Sequence, residues 1–184
     1  MPELGELALE YYRPELVEKP CRRVGKTDNQ EALRDLIHEM MLLMKQHGGK
    51  GLAAPQVGIF IQLAIVQMPL QNDVHVLINP EIVNLAGKDL LEKESCLSLP
   101  PAKYATARVW RSEIVYVRSG TLEDPDAARQ VVYKGTAARI VQHEIDHLRG
   151  VFFIDRCQDV GRNLAMQTYY QYLQKMTLHV EAAI

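Results

Sequence analysis

His143-Glu144-Ile145-Asp146-His147 sets two imidazoles four residues apart, with a carboxylate beside the first. On a helix that spacing brings both rings to one face. Neutral imidazole ligates zinc, iron, nickel or copper, and a carboxylate next to metal-activated water can take its proton, so the stretch predicts a one-metal hydrolase. The bare pattern arises by accident in about one in a hundred chains of this kind, so it needs support elsewhere. Catalytic sites of this type use three protein ligands and leave one position open for water. Candidates for the third ligand are Asp155 and His179 downstream, and Cys96 upstream within Glu94-Ser95-Cys96-Leu97-Ser98. That choice decides the enzyme class.

Around the motif, Gly135 breaks a strand and Gly150 stops a helix, so Thr136 to Leu148 forms one helix with Ile140, Val141 and Ile145 among its apolar positions. Val151 to Ile154 reads as a short buried segment. A C-terminal helix follows over 159–177, capped by Asp159, with Leu164, Leu173 and Met176 on one side and Tyr169, Tyr170 and Tyr172 covering the core or its rim. Upstream, Ile59–Met68, Val74–Asn79, Glu81–Asn84, Glu113–Val117 and Gln130–Tyr133 have strand character, separated by turn formers such as Asn72-Asp73 and Asn79-Pro80 and by the polar loop Ser119–Ala128. His75 belongs to a strand face, apart from the metal.

Gly49-Lys50-Gly51-Leu52-Ala53-Ala54-Pro55-Gln56-Val57-Gly58 packs small residues around one amide, which allows a ligand or another backbone to come close. It lacks the Gly-Lys-Ser/Thr ending of a phosphate cradle. Gln56 could donate from its NH2 group to a developing oxyanion. Before it, Asp28 and Glu31 offer a capping box for a helix from about Asn29 to Gln46, whose Leu33, Leu36, Ile37, Met40, Met41, Leu43 and Met44 fall at helical spacing and which Gly48-Gly49 ends. Leu4 to Arg23, interrupted by Pro14 and Pro20, reads as a wrapping arm.

The 184 residues, 47% of them hydrophobic, suit one domain spanning 1–184 with its own core. A net charge of −2 without a basic stripe argues against a nucleic-acid function. No apolar run approaches the roughly 18 residues of a membrane span, and the first residues lack a leader pattern, so a cytoplasmic location is expected. Three scattered cysteines fit a reducing compartment, with Cys21 and Cys157 as buried or incidental thiols.

Taken together, Gly49-x-Gly51-Leu-Ala-Ala-Pro-Gln56, Glu94-Ser-Cys96-Leu-Ser98 and Gln142-His143-Glu144-x-Asp146-His147 resemble the three ordered motifs of peptide deformylases. The likeness spans roughly Asn29 to Ile154. It implies an α+β fold in which antiparallel strands surround a central metal-binding helix. It also implies an enzyme that removes the N-formyl group from the initiator methionine of nascent polypeptides and releases formate. By the resemblance, Cys96, His143 and His147 hold the metal and Glu144 is general base and acid. Gln56 and the Leu97 backbone N–H polarise the carbonyl, and Gly49, Gly51, Glu94 and Ile140 bind substrate. One divalent ion is implied, Fe2+ by expectation, with Zn2+, Ni2+ or Co2+ able to replace it.

The partners implied are N-formylmethionyl peptides. The C-terminal helix has three roles open to it: packing on the body, the default, docking on a ribosome, or joining a dimer. Three positions depart from the commonest family pattern: Ser95 where Gly is frequent, Lys50 where an apolar residue is frequent, and Glu92 near the methionine pocket. Lys50 and Lys103 could give the cleft mouth a positive edge. Two competing readings are a peptidase using Asp155 as third ligand and a deformylase-like protein that binds without turnover.

Overall fold

The structure, a computed structural model, describes residues 7–13, 19–69 and 73–181, and the side chains at 159 and 177–181 are outside the described set. In chain order the elements are α1 (Gln30–Gln46), β1 (Gly51–Ala53), a 3-10 turn (Ala54–Val57), β2 (Leu63–Gln67), β3 (Val74–Glu94), β4 (Ala107–Gly120), β5 (Arg129–Lys134), α2 (Gly135–Leu148), a second 3-10 turn (Phe153–Arg156) and α3 (Asp159–Glu181). The strands form one sheet in the order β1-β2-β3-β4-β5, every neighbouring pair antiparallel. Helix α2, carrying the two histidines, packs against β1, β2, β4 and β5. This is the α+β architecture expected.

The continuous apolar run of β2 reflects burial on both faces. Leu63 and Ile65 point into the core under α1 beside Leu36, Met40 and Met44, while Ala64 and Val66 point into the core under α2 beside Val141 and Ile145. Alternation of side chains along a strand divides the two sets. A third cluster joins Phe152, Phe153 and Ile154 to Ala165 and Tyr169 of α3.

Several local expectations are corrected. The cap of α1 is Asn29, whose side chain accepts from Glu31 N and Ala32 N. Asp28 is engaged elsewhere, by the Arg22 guanidinium and the Gly25 N–H. Asn79-Pro80 is not a turn: β3 runs through it with a register shift between Ile78 and Glu81, Asn79 standing at φ 50°. The Asn79 side chain accepts from Val24 N and donates to Val24 O and Pro125 O, and a bulge tolerates the N–H that Pro80 lacks.

On α3 the packed face is Ala165 and Tyr169, not Leu164 and Met176, which are exposed. The small Ala165 lets the helix approach the body, and the Tyr169 hydroxyl donates to Tyr12 O at 2.9 Å. The Asp159 cap and the Asn72 turn fall outside the described residues. Among the described residues no helix is long and apolar enough to cross a membrane.

Candidate metal centre

His143 and His147 lie one turn apart on α2 with ring centroids 4.9 Å apart. Cys96 enters from the turn after β3, its Sγ 3.3 Å from His147 Nε2. Ligand atoms of all three lie within 4.8 Å of one another, all three residues are buried, and they form the only such group among the described residues. A thiolate with two imidazoles suits a tetrahedral divalent ion with one position left over, so the donor set fits a catalytic metal. Phe152 and Phe153 pack against the rings of His147 and His143 and keep them dry on that side.

Asp155 is not brought to this group. Its carboxylate accepts from Phe152 N at 3.0 Å and faces Arg162. The His179 side chain lies outside the described residues. His75 is likewise apart, its Nδ1 3.1 Å from the Tyr133 hydroxyl.

Behind the ligands stands a saturated ion network. Glu94 Oε2 lies 3.0 Å from His143 Nδ1, so a ring N–H donating there would leave Nε2 turned toward Cys96. Arg111 grips both Glu94 oxygens, at 3.0 and 3.1 Å, and also donates to Asp146, which Arg156 holds as well. Arg139 Nη1 donates to Glu94 Oε1 at 2.7 Å. Glu94, expected to bind substrate, therefore has both oxygens engaged from within the protein. Burial pushes its carboxyl up, but the hydrogen bonds from His143 and Arg111 outweigh burial and hold it down at about 2. Burial opposes charge on His143 too, yet the neighbouring Cys96 and Glu94 raise its proton affinity well above the imidazole norm. Burial, with His143 beside it, keeps His147 well below that norm.

The other side of the donor set faces a cleft of about 490 Å³ lined by the 47–51 loop, residues 93–97 and the 136–144 stretch of α2. Glu144 is buried, and its Oε2 has no hydrogen-bond partner among the described residues. Burial pushes its carboxyl up to about 7. Gly51 must lack a side chain, because a Cβ there would meet Glu144 Oε1 at 2.3 Å. Gly49 makes the same allowance for Leu97, whose Cδ1 would meet its Cβ at 2.7 Å.

Gln56 Oε1 accepts from Ala53 N at 2.9 Å, which fixes the amide so that Nε2 turns to Cys96 Sγ at 3.3 Å and Ser98 Oγ at 3.2 Å. The arm, residues 7–13, braces this corner: Glu10 N donates to Gln56 O and Tyr12 N to Ser98 O, each at 2.7 Å. Ile140 lines the cleft one turn before Glu144. The Leu97 N–H has no acceptor among the described residues.

Sequence reading missed Arg111, Arg139, Asp146 and Arg156 as builders of the site. A signal was present for two of them. Asp146 lies inside the helix motif itself, and Arg111 falls on the inward parity of β4 with Ala107 and Val109. A charge at an inward strand position calls for a buried partner.

The family model described as Polypeptide deformylase matches residues 7–163. Among curated relatives, "Peptide deformylase 2" of Prochlorococcus marinus is 40% identical over 147 residues, covering 78% of this chain and 70% of that protein. Among solved structures, a peptide deformylase from Synechococcus elongatus in complex with actinonin has a TM-score of 0.79 at 35% identity, covering 92% of this chain and 88% of the other. A class I type b peptide deformylase from Acinetobacter baumannii, Met-Ala-Ser bound, has a TM-score of 0.72 at 30% identity, covering 84% of this chain and 99% of the other.

Proposed function

The chain belongs to the polypeptide deformylase family, a family of hydrolases, and from that premise we propose that it removes the N-formyl group of formylmethionyl peptides, releasing formate and a free amino terminus. The observation that carries the reading is the buried Cys96–His143–His147 group beside a Glu144 oxygen without a partner, at the inner end of an open cleft. Cys96 Sγ and the two histidine rings would hold the metal, which when bound supplies an acidified water and a Lewis-acid contact. Ferrous iron is the ion we propose, with zinc, nickel or cobalt as substitutes that ligand softness equally permits.

Glu144 takes the proton of the attacking water at its free Oε2 and returns it to the departing nitrogen. Burial favours the protonated form of that carboxyl, which suits a group that holds the proton between the two halves of the exchange. The formyl carbon passes through a tetrahedral stage whose oxyanion is met by the Gln56 NH2 group and the Leu97 N–H. Gly51 and Gly49 offer backbone to the peptide where no side chain intervenes, and Ile140 contacts the first side chain. Glu94 acts as a positioning residue for His143, which replaces the substrate contact first expected of it.

The Acinetobacter relative's bound Met-Ala-Ser supports formyl-Met-Ala-Ser as the test substrate. Formate release from that peptide by anaerobically prepared, iron-loaded protein, with nickel and zinc in parallel, tests the reading. Cys96→Ala should lose metal and turnover together, whereas retained metal and activity would move the assignment to a peptidase-type site.

A further inference from the structure

The chain as a whole is slightly acidic, yet its cleft is not. Lys50, Lys93 and Lys103 line the mouth from three separate segments: the loop before β1, the end of β3 and the loop after Cys96. All three are exposed, and among the described residues none meets a carboxylate within 4 Å. Lys50 Nζ reaches the Gln67 amide at 3.3 Å, and Lys103 Nζ sits 5.5 Å from the Tyr104 ring centre. The carboxylates lining the same cleft cannot neutralise them. Glu94 is buried under Arg111 and Arg139, and Glu144 lies buried at the inner end. Some cations elsewhere on the surface are paired, as in Arg22–Asp28, Lys26–Asp124 and Arg118–Glu81, whereas the three rim lysines converge on one concavity.

We infer that the rim of Lys50, Lys93 and Lys103 selects, among formylated peptides, those with acidic side chains in the residues directly after the first. The inference rests on the deformylation reading and extends it to substrate choice. An extended peptide advances about 3.3–3.6 Å per residue, so a substrate whose formyl group reaches Glu144 carries its next side chains out to the rim. Cations of one sign around a concave low-dielectric site focus their field on what enters. Each exposed pair contributes little alone, so the effect requires several together.

The test uses iron-loaded protein and three amide-blocked peptides: formyl-Met-Asp-Asp, formyl-Met-Ala-Ser and formyl-Met-Lys-Lys. At low salt kcat/KM should fall in that order, spanning about tenfold and residing in KM, because three weak exposed pairs act on binding. Near 0.5 M salt the span should shrink to about twofold, as screening shortens the reach of exposed charge. The K93E/K103E double variant, altered only at exposed positions, should invert the order. Equal constants for all three peptides at low salt, or an order the double variant leaves intact, would overturn the rim's role while leaving deformylation standing. No formate from any peptide would sink the deformylation reading and this inference with it.

Discussion

The two sides of the donor set differ in how completely their polar atoms are used. Behind the ligands, Glu94, Arg111 and Asp146 are almost wholly buried and each is engaged by two or more partners. In front, Glu144 keeps one buried oxygen without a partner and the Leu97 N–H has no acceptor among the described residues. The saturated side holds the geometry, and the unsaturated side is where a reacting group can be bound.

The sharpest way to break the contrast is Glu144→Gln. It removes the proton carrier without emptying the donor set, so turnover should fall about 10²–10⁴-fold. Bound metal, measured by elemental analysis, and the melting temperature should hold or rise. Arg111→Met attacks the other side: two buried carboxylates lose their common partner, and denaturant unfolding should report a loss of about 3–5 kcal/mol. If that variant kept full stability, the saturated network would not be what holds the site.

Gln56→Ala should lower kcat by about 10²–10³-fold, the usual cost of one oxyanion donor, with a smaller effect on unfolding than Arg111→Met. Steady-state kinetics beside a melt separates the two.

Acid should expose the same opposition in the metal-free protein. Glu144, raised to about 7, prefers its proton in the folded state. Acidification from about 7 to the ordinary carboxyl value therefore adds stability in the wild type that Glu144→Gln lacks. Glu94 has the opposite sign: its contribution is complete above the unfolded carboxyl value and is lost as pH falls through about 2. Unfolding of wild type, Glu144→Gln and Glu94→Gln across that range checks both. Parallel curves for wild type and Glu144→Gln between pH 7 and 4.5 would remove Glu144 from the account.

What the sequence determined by itself was local in character. The i, i+4 histidines, the glycines bounding α1 and α2, and the apolar spacing of α1 fix helices and put two ligands on one face through contacts within a turn or so. The motif order added Cys96, 47 positions before His143, only through resemblance to a family. Tertiary structure decided the rest. Asn79 became a bulge because Val24 and Pro125, distant in sequence, offer it partners, and Glu94 turned inward because β4 brings Arg111 and α2 brings His143 to it. The packed face of α3 depended on Tyr12 lying opposite Tyr169. Spacing encodes what neighbouring residues can do, whereas the direction a buried charge faces depends on which remote partner the folded chain brings within hydrogen-bond reach.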